Sequence, residues 1–147
     1  MIKSIIDLNS LSVKAKNFNE YKQTWFDEKN ITKNDLNTPV LFLVFNRLYT
    51  TSKVFDEIKK AKPPRLYIAS DGARESVEGE FEKVKKIRDY LNSNIDWKCE
   101  IKTLYRDKNL GCKYAVSGAI DWFFQHEDKG IILEDDCLPS QSFFWYC

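Results

Sequence analysis

From Pro39 onward the chain alternates short apolar runs with amphipathic stretches, and the spacing within each one predicts its structure. Residues 39–45, Pro-Val-Leu-Phe-Leu-Val-Phe, are continuously apolar, which suits a strand buried on both faces of a parallel sheet. Residues 51–61 follow with Val54, Phe55 and Ile58 on one helical face. Pro63-Pro64 then removes a backbone donor and restricts the residue before it, so the helix ends and residues 65–69 restart as a second strand. Ser70-Asp71-Gly72 breaks that strand. Residues 77–91 predict a helix with Phe81, Val84, Ile87 and Leu91 at spacings of three and four.

A third strand is expected over residues 99–105, and Asn109-Leu110-Gly111 turns the chain into a helix over residues 112–125. Ala115 with Ala119 and Val116 with Ile120 form its inner stripe. Gly130 opens a fourth strand over residues 131–133, which runs straight into Glu134-Asp135-Asp136. Before Pro39 the texture differs. Residues 1–38 are polar and rich in Asn and Lys, with Phe18, Tyr21 and Trp25 at helical spacing inside residues 17–28, so an N-terminal helical extension is expected ahead of a domain spanning residues 39–147.

Strands alternating with helices of this length predict an α/β fold, a doubly wound, mostly parallel sheet with right-handed crossovers. Ligands of such sheets sit beyond the carboxyl ends of the strands. The residues just after each strand therefore carry the chemistry. They are Asn46 and Arg47, Asp71 and Gly72, Arg106 and Asp107, and Glu134, Asp135 and Asp136, an unusually charged set to follow four apolar strands.

Composition narrows the partners. With 23 basic and 22 acidic residues spread along the chain, no basic stripe argues for nucleic acid or an anionic membrane, so an anionic partner must be met locally. The longest apolar stretch falls far short of the roughly 20 residues that cross a bilayer, and the N-terminus lacks the layout of a signal peptide. A soluble, cytoplasmic protein without a membrane span is expected. Cys99, Cys112, Cys137 and Cys147 show no metal-binding spacing and read as reduced thiols.

Three consecutive carboxylates after a buried strand repel one another, and desolvation disfavours their charged forms, unless a cation neutralises them. All-oxygen ligands favour Mg²⁺ or Mn²⁺, which complete their shells with water and substrate phosphates. A phosphorylated ligand follows. Arg47 offers a planar fork to a phosphate, and Asp71 can accept from a base or ribose, although Asp-Gly also marks ordinary turns. Lys113 opposes the dipole at the start of a helix, which hints that it answers a bound anion. His126, at the polar end of that helix, is assigned no catalytic role.

Four segments, PVLFLVFNR at 39–47, LYIASDGAR at 66–74, RDKNLGCK at 106–113 and GIILEDDCLP at 130–139, together resemble the nucleotide-diphospho-sugar-transferase half of GT-A glycosyltransferases. The likeness is to the N-acetylglucosaminyltransferase-I-like group and its bacterial relatives. It implies a Rossmann-like nucleotide-sugar-binding subdomain and a metal-dependent transfer from a nucleotide-diphosphate sugar, UDP-linked by expectation, to a glycan or lipid acceptor. By matching position Asp136 would ligate Mn²⁺ or Mg²⁺, Glu134 would lie by the ribose, and Asp135 would face the sugar or support the turn. Arg47 would lie near the phosphates and Asp71 near the base, with Lys113 a less secure match.

The resemblance also implies an acceptor region that supplies the catalytic base, and none of it precedes Cys147, so a truncated, incomplete domain is expected, inactive alone. Ser140 could cap a short terminal helix. Its Phe143, Phe144 and Trp145 would then lack partners and favour self-association. Two other functions fit parts of the pattern: a non-catalytic sugar-nucleotide-binding or assembly module, and a Mg²⁺-dependent phosphohydrolase-like domain, which would need a nucleophilic Asp after the first strand where this chain has Asn46-Arg47.

Overall fold

The computed structural model describes residues 36–147; the helix expected within residues 17–28 lies outside them. Four strands form one sheet, β1 (Val40–Val44), β2 (Arg65–Ser70), β3 (Glu100–Tyr105) and β4 (Ile131–Glu134), in the order β3-β2-β1-β4. Every pairing is parallel. Val40 lies opposite Leu66 on one side and Ile131 on the other, and Arg65 lies opposite Glu100.

The continuous apolar run of β1 has the burial expected of a central strand, all five residues being buried. Val40, Phe42 and Val44 project to one face with Leu66, Ile68, Ile131 and Leu133, where α1 (Leu48–Ala61) and α2 (Glu80–Asn94) cover them. Leu41 and Leu43 project to the other with Tyr67 and Ala69, against Ala119 and Phe123 of α3 (Gly111–Phe124). Helices on both faces make the sheet doubly wound, as the alternation of elements predicts. Among the described residues no helix is long and apolar enough to cross a membrane.

Two expectations need correction. Phe81 was placed on the buried stripe of the second helix, but it is 67% exposed and Glu80 is buried in its stead. The stripe is Glu80, Val84, Ile87 and Leu91. Each step is three or four residues, and Phe81 stands one residue, about 100° of helix, off that line. The helix also starts three residues later than expected, after Gly79 in a left-handed conformation.

The second correction concerns the terminal aromatics. Residues Gln141–Tyr146 form a short helix α4 that does find partners: Phe144 is 1% exposed within the core of the α1 and α2 face. The Gln141 amide donates to the Glu57 carbonyl at 3.0 Å and to the Glu57 carboxylate at 2.7 Å, fastening α4 to α1. Phe143 and Trp145 remain 39% and 41% exposed. Ser140 precedes the helix, yet its hydroxyl meets Ser142 at 2.8 Å rather than capping a backbone N–H.

Phe144→Ala should cost about 2–3 kcal/mol in urea unfolding, below the ~3–5 kcal/mol of an interior Phe, because a helix of only six residues undocks instead of leaving a rigid cavity. Trp145→Ala should change the midpoint little. Equal losses for the two variants would contradict this account of how α4 is held.

Candidate functional site

The chain runs from β1 outward through β2 to β3 and then returns to place β4 on the other side of β1. The strand order reverses between β1 and β4, and a crevice opens at the carboxyl ends of strands flanking such a reversal. A cleft of about 280 Å³ lies there, roofed by the first turns of α3 and near the small end of ligand-pocket sizes. Each strand end contributes to its lining: Phe45 and Arg47, Asp71 and Arg74, Arg106 and Asn109, Glu134 and Asp135.

Arg47 spans the reversal. Its Nη2 lies 2.7 Å from Asp135 Oδ1 and its Nη1 3.0 Å from Asp136 Oδ2. Asp135 is 4% exposed, and its second oxygen accepts from the Phe45 N–H at 3.3 Å. Thr51 Oγ1 lies 3.4 Å from the same oxygen, but its single proton has the nearer acceptor in the Arg47 carbonyl at 2.8 Å. The Asp135 charge, helped by Asp136, raises the Arg47 pKa above its ordinary value. Asp135 thus supports the turn and ties the end of β4 to the end of β1. The Asp136 carboxylate is 43% exposed beside it, and Glu134 is exposed at the cleft.

The structure gives Asp71 a different partner from the expected base or ribose. Its carboxylate is buried and accepts from the Leu110 N–H at 3.0 Å and the Gly111 N–H at 3.1 Å, where Gly111 opens α3 at φ 77°. The anion at this helix N-terminus is therefore the chain's own Asp71, supplied across the sheet because Leu110 offers no capping side chain. Asn109 reinforces the tie by donating to the Gly72 carbonyl at 2.7 Å. Gly72 must be glycine here, since a Cβ would lie 2.6 Å from the Asp107 carbonyl oxygen. Lys113 is exposed, with its ammonium 5.5 Å from the Tyr114 ring, and does not line the cleft.

Asn46 also lies outside the lining. Its amide donates at 2.8 Å to Glu80, a residue that the sequence pattern does not single out. Glu80 is 1% exposed and takes the Arg74 N–H at 2.7 Å together with the Arg74 guanidinium. The guanidinium hydrogen bond, working against desolvation by burial, is the largest cause that brings the Glu80 carboxyl down from 4.5 to about 2. An acidic residue in the first turn of a helix is ordinarily a solvated partner of the dipole, so nothing in the sequence marks this one as buried.

Arg88 completes the rim. It donates to the Ser70, Asp71 and Arg106 carbonyls at 3.3, 3.0 and 2.8 Å, stitching β2 to β3, and burial lowers its pKa. Arg106 reaches α3, donating to the Ala115 carbonyl at 3.2 Å. Among the described residues Arg47 and Arg74 have carboxylate partners, and Arg106 is the cleft arginine without one.

Among the described residues no group of three or more His, Cys, Asp or Glu side chains converges on a metal position. Cys137 lies with its sulfur 3.6 Å from Asp136, and desolvation, then the Asp136 hydrogen bond and charge, push its pKa up. No family model matches this chain, and no curated protein or solved structure is significantly similar to it.

Two outcomes test the geometry. Asp135→Asn replaces one of two accepting oxygens by a donor that faces other donors, and should cost about 1–3 kcal/mol in urea unfolding, whereas exposed Asp136→Asn should stay within about 0.5 kcal/mol. For Glu80 the folded pKa is depressed, so its contribution is present above about pH 4.5 and is lost as pH falls towards 2. Over that window the stability advantage of wild type over Glu80→Gln should shrink. A constant gap down to pH 2 would show that Glu80 is not held as a charged carboxylate.

Proposed function

We propose that this chain binds the nucleotide-diphosphate sugar of a metal-dependent glycosyltransferase reaction, with the nucleotide in the cleft between β1, β2, β4 and α3. The observation that carries the reading is the charged rim at the strand-order reversal, where Arg47 joins Asp135 and Asp136 beside a cleft also lined by Arg106. Such reversals are where open α/β sheets receive nucleotides. The lining sets Arg47, Arg74 and Arg106 against Asp71, Glu134 and Asp135, so an anionic ligand is met by individual side chains rather than by a net field.

The donor set fits Mn²⁺ or Mg²⁺ in a limited way. Asp135 is buried with both oxygens engaged, whereas Asp136, which meets Arg47 at 3.0 Å and the Cys137 thiol at 3.6 Å, is 43% exposed and would be the ligand at the rim, with Glu134 beside it. One or two carboxylates, with water and substrate phosphates making up the rest, is an ordinary shell for these hard cations. When bound, the ion would act as a Lewis acid and neutralise charge on the departing diphosphate. The chain's own residues do the positioning. Arg47 orients Asp136 through a bond to each of the two aspartates, and Asp71 holds the first turn of α3 over the cleft.

The acceptor in this reading is a glycan or lipid. A phosphohydrolase would need a carboxylate nucleophile just after β1, and Asn46 stands there with its amide given to Glu80.

Calorimetric titration with UDP, GDP and CMP, with and without Mn²⁺, tests the proposal. One nucleoside diphosphate should bind, and Mn²⁺ should tighten it. Asp136→Asn should remove the Mn²⁺-dependent gain while the fold and the metal-free affinity persist. Binding of none of the three, or an Asp136→Asn variant with an undiminished Mn²⁺ effect, would overturn it.

A further inference from the structure

We infer that Arg74, held in place by Glu80, recognises a neutral carbonyl oxygen on the nucleobase and so sets base preference in this cleft. The inference rests on the nucleotide reading above and assigns a recognition role that the rim aspartates do not fill.

Along the sheet the acidic turn follows β4, at one side of β1, while Arg74 follows β2 at the other. A nucleotide whose phosphates lie toward Asp136 has its base toward the β2 side. Asp71, the obvious acceptor there, has given its carboxylate to the backbone of α3. Base recognition then falls to another polar group in the lining.

Arg74 is built for that task. Its Nε lies 2.9 Å from Glu80 Oε2 and its Nη2 bonds Oε1, so one edge of the guanidinium is fixed. The guanidinium carbon lies 5.7 Å from the centre of the Phe45 ring, within reach of a cation–π contact. The Arg74 side chain is still half exposed, and among the described residues its Nη1 has no acceptor. A fork pinned along one edge loses little freedom when its open edge meets a ligand.

The charge arithmetic points to a neutral acceptor rather than a phosphate. Glu80 cancels the Arg74 charge, so the remaining N–H groups act as well-aimed donors with little net pull on an anion. Burying Glu80 carries a desolvation cost that an apolar residue would avoid. Among the described residues its oxygens serve Asn46, just after β1, and Arg74, in the loop after β2. Glu80 is therefore a positioning residue for the cleft wall.

The test is calorimetry on the full chain with Mn²⁺, using UDP, GDP, ADP and inorganic pyrophosphate as probes, alongside urea unfolding. Wild type should favour a carbonyl-bearing base, UDP or GDP, over ADP. Arg74→Ala, a change on an exposed loop, should weaken the favoured nucleotide about tenfold, the size of one hydrogen bond to a charged group, and leave pyrophosphate affinity unchanged. Arg74→Lys, which keeps charge but loses the fork, should fail to restore it. Glu80→Gln should shift the same preference by a few-fold, and Glu80→Gln with Arg74→Ala should bind no more weakly than Arg74→Ala alone.

Parallel losses for pyrophosphate and nucleotide, or full rescue by Lys, would make Arg74 a charge contact and overturn the inference. So would an Arg74→Ala variant that binds the nucleotide as wild type does. Should wild type bind no nucleotide at all, the reading on which the inference rests fails with it; a wild type that binds while Arg74→Ala changes nothing sinks the inference alone.

Discussion

A central strand buried on both faces leaves a chain little room for charge along the sheet, and β1 shows the consequence. All five of its residues are apolar and buried, and polarity begins within two residues of its end. Every strong charge on the cleft side is thereby pushed to the carboxyl rim, where it is half out of water. Carboxylates in that position need partners or they cost several kcal/mol each. The rim meets this need internally: Asp135 takes Arg47 and the Phe45 N–H, Asp71 takes two N–H groups of α3, and Glu80 takes Arg74 and Asn46. All but the local Arg74–Glu80 pair join segments that are distant in the chain. The same bonds that solvate the charges therefore hold the strand ends together and shape the cleft.

That arrangement explains what could be read from the sequence and what could not. Apolar periodicity is a local signal, so the strands, the helices over residues 51–61 and 112–125, and the location of the polar rim were all legible, with ends off by one to three residues. The partners of rim residues are set by which strands become neighbours, and a single chain read in order does not show that. Asp71 looked free because the N–H groups it caps lie 39 and 40 residues away. Lys113 looked like an anion's partner because the helix N-terminus before it looked empty. Glu80 was passed over for Phe81 because an aromatic outranks a carboxylate in any hydrophobic pattern. Its burial depends on Arg74 folding back from the loop before the helix and on Asn46 arriving from the end of β1.

Phe144 makes the same point from the apolar side. A six-residue helix cannot stand on its own hydrogen bonds, and the sequence offered three neighbouring aromatics with no visible partner. One of them enters the core beside α1 and α2 while Phe143 and Trp145 stay partly exposed. Which of three adjacent residues points inward is a matter of helix phase, fixed here by the Gln141 bonds to Glu57.

Because most rim residues hold the fold as well as line the cleft, loss of binding on mutation is weak evidence of contact with a ligand. Changing Asp71 releases the first turn of α3, and changing Asp135 leaves a buried cavity wall with opposed donors, so either would lower affinity even for a ligand that touches neither. Asp136 and Arg74 differ in this respect. Each projects a half-exposed side chain, and each is attached to the protein through a partner that keeps another bond when the side chain is altered: Arg47, which holds Asp136, retains Asp135, and Glu80, which holds Arg74, retains Asn46 and the residue-74 backbone N–H. Asp136→Asn leaves the Arg47–Asp135 bond in place, whereas Arg74→Ala takes the guanidinium from the buried Glu80, so its binding is read beside its urea unfolding. Contact with a ligand is therefore read most directly at those two half-exposed positions, which lie on opposite sides of β1, once the stability of each variant is measured beside its binding.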